Sequence, residues 1–387
     1  MISKVENLMN STIMEYKKIR AIISGGGTGG HIFPALSIAG KLKEVNPESE
    51  ILFVGALGRM EMEKVPAAGY NIVGLDIAGI QRKLTPSNIV KDLKVPFQVM
   101  GSVRKAGKII DGFKPDIAIG VGGYASAPLL FAASRKNIPI LIQEQNGFAG
   151  LTNKLLAPKA GCICVAYEGM DKFFPAGKIV LSGNPIRSQM HPYTDADRLE
   201  GLQFYGLDPT LRHLLIIGGS LGSGTLNKSM KNWIEAGCPG GDDVEVLWQC
   251  GKYYKEDCFS FLEGKDLPHI HCTDFIGRMD LAYASADLII SRSGASSVSE
   301  ICATHRAAIF VPSPNVAEDH QTHNAMALVR EDAALMVKDC DAPGRLLESA
   351  MDLIHDKERI AVLEKNVARL EKLDAAQTIV DEIYKLV

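Results

Sequence analysis

Two glycine-rich loops, at residues 25–30 and 218–224, are the parts of this 387-residue chain best suited to binding an anion. Each loop follows an apolar run and precedes a segment with helical periodicity. The backbone N–H groups of such a turn can approach an anion at the positive end of a helix. One loop alone is weak support. Two loops that start the two halves of the chain predict twin nucleotide-type domains facing one another across a cleft.

A serine-rich segment, residues 291–300, combines helix-capping residues with a carboxylate. Ser296 and Ser297 can cap a helix N-terminus, and Glu300 lies one turn along that helix. A phosphate near those N–H groups would leave Glu300 within reach of a ribose diol, although a simple capping box stays an alternative. The polar segment 318–324 suits hydrogen bonding to a polyhydroxylated ligand, and a solvated helix start would have a similar sequence.

Residues 25–30 also fit the Gly-x-Gly-x-x-Gly fingerprint of nicotinamide-dependent oxidoreductases. That fingerprint needs an acidic residue about 20 positions further on, at the tip of the second strand, to hold a ribose hydroxyl. Here the second apolar run, Ile51–Val54, leads into Gly-Ala-Leu-Gly, without a carboxylate at its tip. The oxidoreductase alternative is therefore disfavoured.

Two Asp-x-Asp sequences resemble the pattern that holds a divalent ion against a nucleotide diphosphate in some sugar transferases. Asp195 and Asp197 lie in the predicted linker, while Asp339 and Asp341 precede an Ala-Pro pair, where an acidic N-cap is expected. We interpret both as helix caps. The histidines lack the spacing of a metal site, so we expect no metal.

Short apolar runs alternate with helical periodicity, which predicts parallel sheets flanked by helices. The predicted strands of the first half are 19–24, 51–55, 71–76, 116–121, 138–143, 162–167 and 178–182. Those of the second half are 213–218, 244–250, 270–275, 288–292, 307–311 and 334–338. A turn-rich break at 182–187 predicts domains over 18–186 and 187–370, with 371–387 forming a C-terminal helix that packs back on the first domain.

Composition sets the outer limits of function. The hydrophobic content of 46% and the charged content of 22% are ordinary globular values, and the length suffices for two domains. A net charge of −3 gives no overall attraction to nucleic acid. Without a secretory segment or an 18-residue apolar run, we expect a protein that is cytosolic or peripheral to a membrane. The eight cysteines contain no Cys-x-x-Cys pair and predict reduced thiols.

The region 79–114 is basic, with apolar residues interleaved. Its basic residues outnumber Asp92 and Asp111 by eight to two, a local balance of +6. They are Arg82, Lys83, Lys91, Lys94, Arg104, Lys105, Lys108 and Lys114. Such a surface can bind an anionic bilayer, and a solvated helix face is the alternative.

These features resemble the two-domain, GT-B-type glycosyltransferases, an α/β class with two Rossmann-like parallel-sheet domains. Within that class the chain is similar to the peptidoglycan enzymes that move N-acetylglucosamine onto lipid I. The segments that carry this closer resemblance are 26–34, 122–128, 144–154, 183–187, 219–227, 292–300 and 321–324. The resemblance covers approximately residues 18–385.

The resemblance implies a donor site that contacts UDP-GlcNAc. Its residues would be Thr28, Gly29, Gly30, Asn146, Arg187, Ser220, Ile276, Ala295, Ser296, Ser297, Val298, Ser299, Glu300 and Gln321. Ser220 would approach the diphosphate, and Ile276 would contact uracil through its backbone. Glu300 would hold the ribose diol, and Gln321 the sugar hydroxyls. The chain departs from the family at Gln143, Leu221 and His320, which affects the details of sugar contact.

The implied reaction is an inverting transfer that converts lipid I into lipid II in peptidoglycan synthesis. The C4 hydroxyl of N-acetylmuramyl attacks the anomeric carbon of UDP-GlcNAc, and a β-1,4 bond forms as UDP leaves. Helix N-termini and backbone donors at 218–224 and 294–297 can stabilise the diphosphate without a metal. UDP-GlcNAc is a substrate, and no cofactor is expected. His31 is the candidate base, because an unperturbed imidazole titrates near pH ~6.5, and Glu144 is the reserve.

The lipid acceptor gives the basic region a function as a membrane-facing surface. The residues assigned to it are Arg82, Lys83, Lys91, Lys94, Arg104 and Lys105. The expected location is peripheral, on the cytoplasmic face of the inner (plasma) membrane. The expected partners are undecaprenyl-linked lipid I, an anionic membrane surface and cell-wall synthesis proteins, but no nucleic acid. A UDP-GlcNAc 2-epimerase and a non-catalytic nucleotide-sugar sensor stay open as alternatives.

Overall fold

The computed structural model describes residues 16–27, 29–77, 95–187, 189–219, 221–316, 319–372 and 374–387. Thr28 and Ser220 of the predicted donor site lie outside these residues. The same is true of Arg82, Lys83, Lys91 and Lys94 in the predicted membrane-facing surface.

The first domain contains a seven-stranded parallel sheet in the order β3-β2-β1-β4-β5-β6-β7. Its strands are β1 (Arg20–Ser24), β2 (Glu50–Ala56), β3 (Asn71–Leu75), β4 (Ile117–Gly120), β5 (Ile140–Glu144), β6 (Cys162–Val165) and β7 (Ile179–Leu181). The chain runs outward from β1 to β3 and then returns to the other side of β1. The carboxyl ends of β1 and β4 therefore form a switch point, where open α/β sheets bind ligands.

The second domain repeats this plan with six strands in the order β10-β9-β8-β11-β12-β13. Its strands are β8 (Arg212–Ile217), β9 (Val244–Gln249), β10 (Ile270–Thr273), β11 (Leu288–Ser291), β12 (Ala308–Phe310) and β13 (Leu335–Met336). The switch point here lies between β8 and β11. The strand β8 leads into the second glycine-rich loop, and β11 leads into the serine-rich segment.

Helices flank the two sheets. They are α1 (Gly29–Val45), α2 (Glu61–Ala67), α3 (Val95–Phe113), α4 (Ser126–Arg135), α5 (Leu151–Leu156), α6 (Asp195–Tyr205), α7 (Gly224–Glu235), α8 (Lys255–Leu262), α9 (Met279–Ser285), α10 (Ala295–Thr304), α11 (His320–Val329), α12 (Ala342–His355), α13 (Lys357–Ala368) and α14 (Ala375–Tyr384). Among the described residues, no helix has the length and apolar character needed to cross a membrane.

Apolar side chains from alternate strand positions fill both faces of the first sheet. Ile22 lies in the cluster on one face, and Ile23 lies in the cluster on the other. The second cluster also contains Ile379 and Ile383, so the C-terminal helix α14 packs on the first domain. A hydrogen bond of 2.8 Å from the Tyr384 hydroxyl to the Lys17 carbonyl oxygen closes this contact.

The predicted strands are all present, with ends that differ by at most two residues. The expected fold of two parallel-sheet domains is confirmed. Buried parallel strands are apolar on both faces, so they stand out in the sequence as short continuous runs between turns.

The two Asp-x-Asp sequences have different roles. Asp197 forms a capping box with Thr194 at the start of α6, as interpreted from the sequence. Asp339 instead pairs with Arg292 at 2.5 Å. Asp341 occupies the N-cap position of α12, as expected, although its side chain makes no capping hydrogen bond. No cluster of potential metal ligands is found among the described residues.

Candidate active site between the two domains

The first glycine-rich loop joins β1 to α1 and brings His31 against a second loop of the same domain. Gly122, in that second loop, has a φ of +87°, and a Cβ there would lie 2.7 Å from the Cδ2 atom of His31. Only glycine therefore allows the imidazole to lie this close to the backbone. The predicted donor contacts Gly29 and Gly30 are the first two residues of α1.

The environment of His31 changes its acid–base behaviour. Burial lowers the pKa of His31 to about 4, and His320 from the second domain contributes to the lowering. The pKa near 6.5 assumed from the sequence is therefore wrong for the folded protein. The imidazole is neutral at pH 7, as a general base must be, but it is a weaker base than an unperturbed histidine.

Glu144, the reserve base, is 2% exposed and surrounded by hydrogen-bond donors. Its carboxylate accepts hydrogen bonds from the backbone N–H groups of Asn146 at 3.1 Å and Gly150 at 3.0 Å. The side-chain amide groups of Asn146 and Asn153 donate to it as well. Burial raises the pKa of Glu144, against the effect of these bonds. This geometry favours a role in shaping the loop after β5 over a role in proton transfer.

Asn324 joins the two domains, and sequence reasoning did not select it. Its side chain is fully buried, and its Oδ1 accepts a hydrogen bond from Gly147 N at 3.0 Å. Its Nδ2 donates to Asn146 Oδ1 and to the Ser293 carbonyl oxygen, both at 3.2 Å. Asn146, which was predicted to contact the donor, is therefore held in place by Asn324 of the second domain. The signals in the sequence were the position of Asn324 in the polar segment 318–324 and in the segment 321–324, which resembles the family.

The helix α10 begins without a side-chain cap. Its N-cap is Gly294, so Ser296 and Ser297 lie in the first turn, and their predicted capping role is wrong. The Oγ of Ser296 is buried and has no partner among the described residues. An open helix N-terminus with a hydroxyl in its first turn suits an anionic ligand.

Glu300, one turn further along α10, is 5% exposed and does not cap its own helix. Its Oε1 lies 3.2 Å from a guanidinium nitrogen of Arg187, and its Oε2 accepts a 3.2 Å hydrogen bond from the Tyr283 hydroxyl. Burial raises the pKa of Glu300, while Arg187 and Tyr283 act in the opposite direction. The arginine also lies over the ring of Phe33 from the first domain, 5.3 Å from its centroid.

The remaining predicted donor contacts lie around this helix. Gln321 accepts a hydrogen bond from Ser313 N at 2.8 Å through its Oε1. Ile276 is buried among apolar residues, which leaves its backbone as the group able to meet a ligand. Ala295 and Val298 are also buried. The hydroxyl of Ser299 accepts a hydrogen bond of 3.0 Å from the Asn184 amide of the interdomain segment.

Four buried polar atoms on the facing segments have no hydrogen-bond partner among the described residues. They are Tyr124 Oη, Gln145 Oε1, Arg187 Nε and Ser296 Oγ. Unpartnered buried polar atoms are costly, and native proteins rarely keep them without a reason. Five of the nine such atoms in the described residues lie elsewhere, and the four on the facing segments are groups that a polar ligand there would satisfy.

The second glycine-rich loop is held by hydrogen bonds at the start of α7 and to the end of β9. Ser223 caps α7 by accepting a hydrogen bond from Leu226 N at 3.3 Å. One turn later, the amide of Asn227 donates to the Cys250 carbonyl oxygen at 3.0 Å and accepts a 3.0 Å bond from the Trp248 indole N–H. The loop therefore begins a helix that is anchored to β9.

The described part of the basic region is α3 and the residues after it. Met100 is 69% exposed, and Arg104 and Lys108 follow on the same exposed helix face at four-residue spacing. The ammonium of Lys105 instead donates to the Gly74 carbonyl oxygen at 2.7 Å. This residue, which was predicted to face the membrane, therefore makes a hydrogen bond within its own domain.

Family models match both halves of the chain. The N-terminal domain model of glycosyltransferase family 28 matches residues 21–165, and its C-terminal domain model matches residues 213–379. The chain belongs to glycosyltransferase family 28. It is thus a glycosyltransferase, and the resemblance inferred from its motifs is confirmed.

Relatives of nearly the same length match the chain over most of its residues. A protein of Parabacteroides distasonis is 52% identical over 371 residues, which cover 96% of this chain and 99% of the relative. It is named UDP-N-acetylglucosamine–N-acetylmuramyl-(pentapeptide) pyrophosphoryl-undecaprenol N-acetylglucosamine transferase.

Solved structures share the same architecture. MurG of Acinetobacter baumannii has a TM-score of 0.74 and 28% identity, with coverage of 95% of this chain and all of that one. A UDP-N-acetylglucosamine 2-epimerase has a TM-score of 0.62 at 13% identity, with 95% of each chain covered. The second likeness shows the fold alone.

Proposed function

We propose that this family 28 enzyme transfers N-acetylglucosamine from UDP-GlcNAc to the C4 hydroxyl of the N-acetylmuramyl unit of lipid I, forming lipid II. The observation that carries the proposal is the 52% identity, over 96% of the chain, to a relative that bears this activity in its name. The open start of α10, opposite His31, supports it as a site for a nucleotide sugar.

The second domain is the proposed site of the UDP moiety. The N–H groups at the start of α10 and in the loop 218–224 would receive the diphosphate, because helix N-termini stabilise negative charge. Glu300 would turn from Arg187 to the ribose diol, and the guanidinium would then be available to the diphosphate. The backbone of Ile276 would meet uracil, and Gln321 the sugar hydroxyls.

His31 is the proposed base. As the acceptor oxygen bonds to the anomeric carbon, the bond from that carbon to the phosphate oxygen breaks, and the hydroxyl proton passes to the imidazole. A neighbouring diphosphate raises the pKa of a histidine, so the bound donor would strengthen this base from its low starting value. Glu144 would act by holding the Asn146 loop.

The first domain, 18–186 in our division, is the proposed acceptor and membrane side. The exposed face of α3 combines Met100 with Arg104 and Lys108, as expected of a surface that meets anionic lipid. We therefore propose a peripheral location on the cytoplasmic face of the plasma membrane.

The test is UDP release in the presence and absence of a soluble, short-chain lipid I analogue. Release that depends on the analogue, together with a β-1,4-linked disaccharide product, is the expected result. Formation of N-acetylmannosamine without acceptor would instead identify an epimerase, and folded protein that releases no UDP under either condition would contradict transfer.

A further inference from the structure

Glu61 is a fully buried carboxylate that the proposed mechanism does not use. It is the first residue of the short helix α2, which follows β2. Its Oε1 accepts a hydrogen bond from Ala56 N, and its Oε2 accepts one from Gly27 N, both at 3.0 Å. The carboxylate therefore links the end of β2 to the first glycine-rich loop.

The second of these bonds changes the interpretation of that loop. Gly27 N–H belongs to the set of amides that the sequence predicted to face an anionic ligand. In the structure this amide already has an acceptor, a side-chain oxygen of the protein itself. Gly27 adopts a φ of +90°, so the loop turns sharply at the residue that Glu61 holds.

Two glycines make the space that the carboxylate occupies. A Cβ at Gly26 would lie 2.2 Å from Glu61 Oε1, and a Cβ at Gly55 would lie 2.6 Å from Glu61 Cγ. A side chain at either position would therefore have to displace Glu61. The need for glycine at position 26 is thus explained by the Glu61 carboxylate behind the loop. No ligand in front of the loop is required to explain it.

We propose that Glu61 is a positioning residue for the transfer reaction. It binds the first glycine-rich loop from behind, fixes the turn at Gly27, and so determines where α1 begins and where His31 meets the cleft. Because Glu61 occupies the Gly27 amide, that amide is not available to the donor diphosphate. The catalytic part of this inference rests on the proposed function.

The first test is Glu61→Gln, which keeps the size of the side chain. A carboxamide offers one oxygen and one NH₂ group, so it cannot accept from both Ala56 and Gly27. We expect kcat with the lipid I analogue to fall roughly 10- to 100-fold, as is typical when a catalytic group is displaced by about 1 Å. UDP affinity, measured by calorimetry, should stay within about twofold of wild type, since UDP binds the second domain.

The matched control is Glu63→Gln, because Glu63 is exposed on the same helix and carries the same charge. It should leave kcat and UDP affinity unchanged. A further readout is the NMR titration of His31, whose midpoint should move from about 4 toward the ordinary histidine value in Glu61→Gln but not in Glu63→Gln. A folded Glu61→Gln protein with kcat within twofold of wild type and an unmoved His31 midpoint would overturn the proposal.

Gly26→Ala approaches the same contact from the loop side and leaves Glu61 in place. The added methyl group displaces the carboxylate, so kcat should fall as it does in Glu61→Gln. If Glu61→Gln does not fold, Gly26→Ala tests whether Glu61 positions the loop. The pair Gly26→Ala and Glu61→Ala should be no worse than either single change, because both remove one contact. Fully additive losses would contradict the proposal.

Failure of the proposed function gives a different pattern. In that case wild type itself would not use the lipid I analogue, while the His31 titration and UDP calorimetry would still report whether Glu61 holds the loop.

Discussion

A guanidinium nitrogen of Arg187 lies 3.2 Å from Glu300 Oε1, so a residue of the interdomain segment is paired with a buried carboxylate of the second domain. The arginine side chain is about a third exposed, whereas that of Glu300 is almost fully buried. Both residues were predicted to bind the donor. In the binding mode we propose, UDP-GlcNAc has to replace this ion pair.

Arg187→Met tests the consequence for the donor and for stability. Without the arginine, the ionised Glu300 is buried and keeps, among the described residues, the Tyr283 hydroxyl as its hydrogen-bond donor. We expect the protein to lose about 1–3 kcal/mol of stability at pH 8. The pKa of Glu300 is already raised by burial, and it should rise further. UDP-GlcNAc affinity should fall roughly tenfold or more, since a charged hydrogen bond is worth about 1.5–3 kcal/mol.

The pH dependence of this effect has a definite sign. A carboxylate whose pKa is higher in the folded state binds its proton more readily there, so folding weakens as the pH rises above the unfolded value. The loss in Arg187→Met should therefore be larger at pH 8 than at pH 5. Denaturant unfolding at both pH values measures it, and Arg187→Met with Glu300→Gln is the control that should recover stability at pH 8. An equal loss at both pH values would show that Glu300 is not the group responsible.

His31→Gln tests the proposed base. General base catalysis contributes roughly 10²- to 10⁴-fold, so kcat should fall by at least about 100-fold at saturating donor and acceptor. Turnover within about threefold of wild type would eliminate His31 as the base. UDP affinity should change little, which separates catalysis from nucleotide binding.

The titration of His31 is a separate prediction. Its pKa of about 4 means that kcat/KM for UDP-GlcNAc, which reports the enzyme before the donor binds, should stay level from pH 8 to about pH 5, because the imidazole of that form is neutral over that range. NMR of histidine-labelled protein, with His31→Gln to assign the signal, gives the midpoint directly. A midpoint at or above 6.5 would contradict the buried environment described here.

The strands and the positions of both glycine-rich loops were predictable because their signals are local. A buried parallel strand is a short apolar run, and the turn after it needs glycine within a few residues. The bonds of the site are not local. Glu61 meets Gly27 across 34 positions, and Asn324 meets Gly147 across 177. Nothing in the sequence separates the buried Glu61 from the exposed Glu63 two residues later.

Asn324→Ala tests the connection between the domains. The change leaves Gly147 N–H, Asn146 Oδ1 and the Ser293 carbonyl oxygen without their partner, and an unsatisfied buried group costs about 1–3 kcal/mol. We expect lower stability in thermal unfolding and a fall in kcat of roughly tenfold, as the Asn146 loop loses its position. Asn315→Ala, at an exposed residue, is the control. Wild-type stability in Asn324→Ala would show that the bridge contributes nothing.

The start of α10 could not be predicted to the residue from the sequence. Ser296 and Ser297 have the residue types that cap helices, yet the helix begins at Ala295 and Gly294 takes the N-cap position. Residue type alone does not decide between adjacent start positions, because a shift of two residues keeps the same pattern. The shift matters here, since it turns a satisfied helix end into one open to a ligand.

Charge reversal on the exposed face of α3 tests whether this face binds the membrane. Reversal of Arg104 and Lys108 to Glu removes two exposed positive charges beside Met100 and adds two negative ones, so binding to anionic vesicles should fall, by about 1 kcal/mol for each positive charge lost. Activity on a soluble, short-chain acceptor should be unchanged.

Lys357→Glu with Lys365→Glu makes the same change in net charge on an exposed helix of the second domain and should leave vesicle binding intact. Co-sedimentation at low and high salt measures the effect, because an electrostatic contact weakens as salt screens it. Equal losses in the two double variants would mean that net charge, and not this face of α3, governs membrane binding.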